Sequence, residues 1–351
     1  MYEDMIRRVQ APGLSLTFTA DEIENARKRG SLLSLDVELT KQCNLRCIYC
    51  YANAGERQMN ELKIDEVLHI IDEAKELGIR TLNLTGGEPL IHENYFEIAT
   101  YAYKRGICVL LFTNGTLVTR KVARKLMDLR VSPCVKLDSL SPTIQDYLAG
   151  TVGAFGRIMR GIKNLIEVGY TTEYPVLSVN AVICRQNMAD LPKWWNWVRK
   201  QNITPTLTRL QLMGRALGRS DLAVTPHELY KLYSKLSEID RRFGINWEPK
   251  IPWIYGRACR RHYIGCFIDS TGNVQPCSGV PIKVGNIRKQ HLKEILSSSE
   301  LFKISRNIEK FLEGACGKCE FKNECYGCRS IAYFATGRFT AADTLCWRNI
   351  A

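Results

Sequence analysis

The chain has 351 residues, of which 45% are hydrophobic and 24% charged, and its formal net charge is +13. These proportions exclude a mostly disordered chain, and the length predicts about two domains or one large domain with an appendage. The positive charge favours an acidic partner, a role that nucleic acid, an anionic peptide or metabolite, or an acidic electron carrier would each fill.

The fourteen cysteines are too few for a disulfide scaffold of this length, and they are grouped. Three lie in residues 43–50 and eight between residues 259 and 346. The first thirty residues show no secretory signal, and no apolar stretch approaches the ~18 residues that a membrane span needs. We therefore expect a cytoplasmic protein without membrane contact, in which clustered thiols bind metal.

Residues 34–212 alternate short apolar runs with amphipathic stretches, which predicts strands alternating with helices. The predicted strands are 34–40, 81–85, 107–112, 134–138, 176–183 and 204–212, and the predicted helices are 64–78, 94–106, 117–129, 154–169 and 192–201. Such alternation indicates parallel strands joined by right-handed crossovers. Because six units are fewer than a full barrel needs, we predict an α/β fold with a partial (β/α)6 TIM-like barrel.

Several predicted strands carry polar residues at alternate positions and apolar residues between them. The polar positions are Asp36, Glu38, Thr40, Thr81, Asn83, Thr85, Lys136, Asp138, Ser178 and Asn180. The apolar faces should pack on the crossover helices, so the polar faces point to water or to a lumen, and we favour a polar lumen. Asp36, Glu38 and Lys136 are then candidates for acid–base catalysis, with structural salt bridges as the alternative.

The remaining sequence predicts two further regions. Residues 226–244 form the clearest helix of a bridge, and residues 268–277 predict two short strands around a turn. We divide the chain into an N-terminal extension at 1–33, the barrel at 34–216, a helical bridge at 217–258 and a cysteine-rich domain at 259–351.

The loop after the first strand contains Cys43-x3-Cys47-x2-Cys50. It follows the carboxyl end of a strand, where barrel enzymes carry their chemistry. Three thiolates can hold three irons of a [4Fe–4S] cluster and leave the fourth iron open, as at sites that bind a reagent. The alternative is a zinc loop completed by a distant ligand.

This spacing, with the Gly86-Gly87-Glu88-Pro89 motif after the second strand, resembles the radical S-adenosylmethionine (radical SAM) superfamily. The resemblance implies that S-adenosylmethionine chelates the fourth iron and is cleaved reductively to a 5′-deoxyadenosyl radical, which abstracts hydrogen from a substrate. It also implies a set of cofactor-binding residues near the methionine, ribose and adenine groups. These are Tyr49, Gly86, Gly87, Glu88, Pro89, Asn114, Asp138, Ser139, Asn180 and Met213.

The second group of cysteines suits two four-thiolate sites, for which zinc and iron–sulfur are both open on spacing alone. The group resembles the SPASM extension of radical SAM enzymes, which carries two auxiliary [4Fe–4S] clusters. The family's pattern implies Cys259, Cys266, Cys277 and Cys328 for the nearer cluster, and Cys316, Cys319, Cys325 and Cys346 for the farther one. If Cys266 is only a packed thiol, the nearer cluster has an open iron that can bind substrate.

The resemblance implies an oxidative enzyme with three [4Fe–4S] clusters, and we expect a maturase that modifies a peptide or protein side chain. The alternative is the same chemistry on a small acidic molecule, such as oxidative decarboxylation of a tetrapyrrole propionate, because the C-terminal cysteine segments look similar to haem-biosynthesis relatives. We expect an acidic electron donor such as ferredoxin or flavodoxin. A zinc-ribbon nucleic-acid-binding protein is a remote alternative, and we expect no nucleic acid partner because no helix has a concentrated basic face.

Overall fold

The computed structural model describes residues 18–252 and 259–349. Residues 1–17 of the predicted extension, 253–258 of the predicted bridge and 350–351 at the C-terminus lie outside the described residues. The first element of the described residues is helix α1 (Ala20–Arg29), in which Thr19 and Glu22 cap each other's backbone N–H groups. This helix was not predicted, because the opening residues carry too weak an apolar pattern.

The barrel is built from six parallel strands that alternate with helices. The strands are β1 (Ser34–Glu38), β2 (Thr81–Thr85), β3 (Cys108–Thr113), β4 (Ser132–Lys136), β5 (Ser178–Ile183) and β6 (Thr204–Arg209). The helices are α2 (Ile64–Glu76), α3 (Tyr95–Lys104), α4 (Arg120–Asp128), α5 (Pro142–Ala149), α6 (Ala154–Glu167) and α7 (Leu191–Lys200), and α8 (Pro226–Arg241) follows β6. The strands pair in sequence order, which confirms the partial (β/α)6 barrel.

The core lies between the sheet and its helices, as the alternating pattern predicts. Leu35 and Val37 of β1 are completely buried, and α2 buries one face that includes Val67 and Ile71. This apolar layer fixes which side of each strand faces inward, because adjacent side chains along a strand point to opposite faces.

The C-terminal domain continues the same sheet. Its elements are α9 (Arg261–Ile264), β7 (Gly265–Ile268), β8 (Asn273–Gln275), β9 (Gly285–Asn286), α10 (Leu292–Ser298), α11 (Glu300–Arg306), α12 (Gly314–Lys318) and α13 (Arg329–Thr336). Strand β7 pairs in parallel with β1, and β8 pairs antiparallel with β7, as the predicted hairpin requires. The cysteine-rich domain therefore packs directly against the first strand of the barrel. Within residues 18–252 and 259–349, no helix is long and apolar enough to cross a membrane.

Candidate active site

A cavity of about 250 Å³ lies between the barrel and the C-terminal domain. Its wall carries polar residues from all six barrel strands, namely Asp36, Asn83, Thr85, Thr113, Lys136, Asn180 and Thr208. The apolar residues between them pack on the helices, so the structure places the polar strand faces in a lumen rather than in open solvent.

The loop with the first three cysteines opens onto this cavity, and Cys43, Cys47 and Cys50 all line it. Arg215 holds the loop in place, because its Nε donates to the Cys47 carbonyl at 2.8 Å and its backbone N–H donates to the Cys50 carbonyl at 3.0 Å. Burial, the Asp138 carboxylate and the neighbouring thiols together raise the pKa of the Cys47 thiol to about 12. Three convergent thiols fit an iron–sulfur cluster, and binding it must displace their protons.

Two glycines let other loops approach the cysteine loop closely. A Cβ on Gly87 would lie 2.2 Å from the Gln42 carbonyl oxygen, and a Cβ on Gly214 would lie 2.3 Å from the Cys50 carbonyl oxygen. Gly214 also has a φ of +59°, a conformation that side chains disfavour. The backbones around Gly87 and Gly214 therefore hold the cysteine loop from two sides.

Glu88 lies behind this wall and is completely buried. Its carboxylate accepts hydrogen bonds from the Leu90 N–H, the Thr113 hydroxyl and the Asn114 N–H at 3.1, 2.7 and 2.7 Å. Burial raises the pKa of Glu88 to about 7, while these three donors act in the opposite direction. Glu88 thus ties the loop after β2 to the end of β3.

Asp138 is the centre of a second buried network. Its carboxylate accepts from the Tyr49 hydroxyl and from the Val182 N–H at 2.8 Å, and it pairs with Lys136 Nζ at 2.8 Å. Ser139 donates to Asp190 at 2.5 Å. Neither Asp138 nor Ser139 lines the cavity. Asp138 instead contacts Tyr49 and Lys136, which do line it. Direct contact of Asp138 or Ser139 with the ribose stays a prediction.

The other candidate cofactor residues divide in the same way. Tyr49, Gly86, Gly87, Asn114 and Asn180 line the cavity, whereas Glu88, Pro89 and Met213 are buried without lining it.

Of the three candidate catalytic residues, two lie on the wall. Asp36 forms an ion pair with Arg261 and accepts from Asn83, and Lys136 also donates to Asn180 at 3.3 Å. Glu38 does not line the cavity. It forms an ion pair with Lys41 at 2.8 Å and accepts a hydrogen bond from the Ser270 N–H at 3.2 Å. Glu38 therefore connects the barrel to the C-terminal domain.

Three C-terminal cysteines, Cys259, Cys277 and Cys328, line the same cavity as the first cysteine loop. Their thiols interact electrostatically with one another, so the structure brings them together. It does not bring Cys266 to them. Cys266 pairs with Leu35 in the β1–β7 register and belongs with it to the apolar core, because laterally paired residues share a face.

The cysteines predicted for the farther cluster do not line the cavity. The thiols of Cys316, Cys325 and Cys346 interact electrostatically, and the Cys316 sulfur accepts the Asp343 N–H at 3.4 Å. Cys319 is adjacent, since its backbone N–H donates to the Cys316 carbonyl at 3.3 Å.

Sequence reasoning found Lys136 but missed the four arginines of the cavity. Five cations line it, namely Lys136, Arg209, Arg215, Arg261 and Arg329, against one carboxylate, that of Asp36. Arg329 is 1% exposed, and among the described residues its Nε and Nη2 have no hydrogen-bond partner. The sequence did contain a signal for two of these arginines, because Arg261 and Arg329 lie within two positions of the predicted cluster ligands Cys259 and Cys328.

The fold and the cysteine loop define a radical SAM enzyme, and comparisons with known proteins agree. Residues 37–197 match the Radical SAM superfamily, and residues 259–320 match SPASM, an iron–sulfur cluster-binding domain. An AdoMet-dependent heme synthase of Methanosarcina barkeri is 32% identical over 337 residues, covering 88% of this chain and 94% of the relative. Mycofactocin maturase MftC of Mycobacterium tuberculosis is 28% identical over 326 residues, covering 87% and 80%. This chain belongs to the radical SAM superfamily and carries a SPASM domain.

Solved structures show the same fold. SuiB of Streptococcus suis bound to S-adenosylmethionine has a TM-score of 0.73 at 18% identity, covering 94% of this chain and 83% of that chain. SuiB bound to its precursor peptide SuiA has a TM-score of 0.72 at 18% identity, covering 95% and 82%.

Proposed function

We propose that this radical SAM/SPASM enzyme oxidatively decarboxylates a small molecule with carboxylate side chains, of the tetrapyrrole propionate class. The observation that carries the proposal is the pair Arg215 and Arg329 on the cavity wall, which have no carboxylate partner among the described residues. The other three cations of the wall, Lys136, Arg209 and Arg261, are neutralised by Asp138, Asp343 and Asp36. His262 does not add to this charge, because burial lowers the pKa of its imidazole to about 3. The similarity to heme synthases over nearly the whole chain supports the same class.

The cavity residues include thiols that would bind an iron–sulfur cluster and side chains that would contact S-adenosylmethionine. Cys43, Cys47 and Cys50 would hold a [4Fe–4S] cluster, with S-adenosylmethionine at its fourth iron beside Tyr49 and Asn180. When bound and reduced by one electron, these cofactors supply a 5′-deoxyadenosyl radical that removes a hydrogen atom from the substrate.

The chain's own residues bind and orient the substrate. Arg261 neutralises Asp36, so this carboxylate does not repel an anionic substrate, and Arg329 adds a positive charge to the same wall. Removal of one hydrogen atom and one electron from a propionate side chain leaves a vinyl group and carbon dioxide. Atoms and charge therefore balance, provided that the site also accepts one electron from the substrate.

Cys259, Cys277 and Cys328 lie where a group that accepts this electron would be needed, because they share the cavity with the first cysteine loop. We include in the proposal an auxiliary cluster on these three thiols with one iron left open to substrate, since Cys266 lies in the core. The proposal also includes a second auxiliary cluster on Cys316, Cys319, Cys325 and Cys346. It further includes an acidic electron donor, such as ferredoxin or flavodoxin, and a location in the reducing cytoplasm.

A peptide or protein side chain is the second candidate substrate. The observation in its favour is the 28% identity with a mycofactocin maturase over most of both chains. An acidic peptide would also suit these arginines, but the heme synthase is the more similar of the two relatives, at 32% identity over 337 residues.

The test is anaerobic turnover with dithionite and S-adenosylmethionine. We expect an iron-loaded porphyrin with propionate side chains to lose one carboxyl group and one hydrogen per turnover, with 5′-deoxyadenosine formed in step. Mass spectrometry and chromatography measure both. Replacing Cys43, Cys47 and Cys50 together by alanine should abolish both products.

The outcomes separate the alternatives. Formation of 5′-deoxyadenosine without any change in the porphyrin, together with a mass change in an acidic precursor peptide, would favour the maturase. Formation of 5′-deoxyadenosine by the triple variant would refute the radical SAM assignment of this loop.

A further inference from the structure

Two histidines and a glutamate form a cluster on the surface where the barrel meets the C-terminal domain. His69 and Glu73 stand at positions i and i+4 of α2 and so lie on one face of that helix. His291 comes from the C-terminal domain, where it precedes α10. One potential ligand atom from each residue lies within 4.8 Å of the other two.

The separations suit a first-row transition metal. His69 Nε2 lies 3.1 Å from Glu73 Oε1, and His291 Nδ1 lies 2.5 Å from the same oxygen. Metal–ligand bonds of about 2.0–2.1 Å in a tetrahedral site place neighbouring ligand atoms about 3.3 Å apart. The first pair already fits, and the second needs a small outward movement of His291, whose side chain is 69% exposed.

A backbone N–H group orients the Glu73 carboxylate, and two further carboxylates lie near the cluster. The Leu292 N–H donates to Glu73 Oε2 at 2.7 Å, which orients the carboxylate and leaves Oε1 toward the two imidazoles. Glu76 and Glu294 lie close enough to His291 to interact electrostatically with its ring. The cations Arg29, Lys293 and Arg306 line the same surface cavity, so they balance the charge of the three carboxylates there.

The geometry points to a binding site for a divalent first-row transition metal, best suited to zinc, on His69, Glu73 and His291. Two imidazoles and one carboxylate are ligands that zinc takes in proteins, whereas magnesium and calcium prefer oxygen ligands alone. The exposure of both histidines leaves the remaining coordination position to water. Because the ligands come from α2 and from the residue before α10, the metal joins the barrel to the C-terminal domain and stabilises the folded chain.

The experiment uses the full chain with its iron–sulfur clusters loaded and compares zinc uptake by equilibrium dialysis with elemental analysis. The variants are His69→Ala and His291→Ala, and His227→Ala is the control because it removes an exposed histidine from α8. We expect wild type and His227→Ala to bind one more zinc per chain than the other two variants, at unchanged iron content. Subtraction between variants cancels any zinc taken up by cysteines, since all four proteins share them.

Thermal unfolding gives an independent reading. Zinc should raise the melting temperature of wild type and His227→Ala, and at least tenfold more zinc should be needed for the same rise in His69→Ala and His291→Ala. Magnesium at equal concentration should have no such effect. Zinc uptake by either His69→Ala or His291→Ala equal to that of wild type, in number and affinity, would overturn the site.

Discussion

Arg209 and Asp343 form an ion pair in which Arg209 Nη2 lies 2.7 Å from Asp343 Oδ2, with both side chains buried. Arg209 ends β6 of the barrel, and Asp343 lies just before Cys346. The Asp343 carboxylate also accepts the Cys328 N–H at 2.7 Å, and the Asp343 N–H donates to the Cys316 sulfur. The pair therefore connects the last barrel strand to the backbone around both groups of SPASM cysteines.

Asp343→Asn should strongly destabilise the protein, because it leaves the buried Arg209 guanidinium without a counter-charge. Loss of one partner from a buried pair costs about 3–5 kcal/mol. Arg209→Gln should have a similar effect, and the double variant should cost less than the sum of the two single changes. Urea unfolding and iron content per chain measure the outcome.

The control for this pair is Glu238→Gln, which breaks the exposed ion pair with Lys235. It should leave unfolding and iron content unchanged, since surface pairs contribute little. If Asp343→Asn unfolds at the same urea concentration as Glu238→Gln, the Arg209–Asp343 pair does not have the structural role described.

Gly214→Ala should prevent the cysteine loop from taking its native conformation. The added Cβ would lie 2.3 Å from the Cys50 carbonyl oxygen and 2.4 Å from that of Tyr51. Gly218→Ala is a matched control, because its φ of +76° is similarly unfavourable but its Cβ would meet nothing within 4 Å. We expect Gly214→Ala to lower 5′-deoxyadenosine formation by at least tenfold and Gly218→Ala by less than twofold. Equal activities would show that backbone strain, not contact with the loop, decides the effect.

The barrel was predictable from sequence because its signal is local. Alternating apolar residues gave β2 at 81–85 with the bounds that the structure has, and helix α2 differs only in its last turn. The pairing of β7 with β1 was not predictable, because it joins Cys266 to Leu35 across most of the chain. Short helices such as α5 were missed because eight residues carry too little periodicity.

The site was predictable where sequence spacing reports geometry. Cys43, Cys47 and Cys50 lie in one loop, so their spacing alone places them together. Cys266 shows the limit of this reasoning, since spacing to Cys259 says nothing about which face of a strand it occupies. The four arginines of the cavity were missed because residues such as Arg209 and Arg261, which come from different domains, line one cavity only when the two domains pack.

The buried Glu88 should make stability depend on pH. Its pKa in the folded chain is about 7 and its ordinary value is 4.5, so the folded state binds the proton more tightly. This contribution to stability is fully present below about pH 4.5 and is lost as the pH rises through 7. The pKa difference corresponds to about 3 kcal/mol.

Glu88→Gln removes this titration, so we expect its stability relative to wild type to rise by up to about 3 kcal/mol between pH 5 and pH 8. Urea unfolding at matched iron content measures the difference at each pH. Glu97→Gln is the control, because this exposed residue of α3 should give a constant difference from wild type. A stability difference for Glu88→Gln that does not change over this range would contradict the raised pKa.

Cys277→Ala and Cys266→Ala should differ in iron content, because only Cys277 lines the cavity. We expect Cys277→Ala to lose the iron and sulfide of one cluster, together with decarboxylation, while 5′-deoxyadenosine is still formed at the first cysteine loop. Cys266→Ala should keep the full iron content and lose only about 1–2 kcal/mol of stability, as a truncation in the apolar core. Iron and sulfide analysis with electron paramagnetic resonance of the reduced proteins distinguishes them. Loss of a cluster from Cys266→Ala would restore Cys266 as the fourth ligand and remove the open iron from the proposed mechanism.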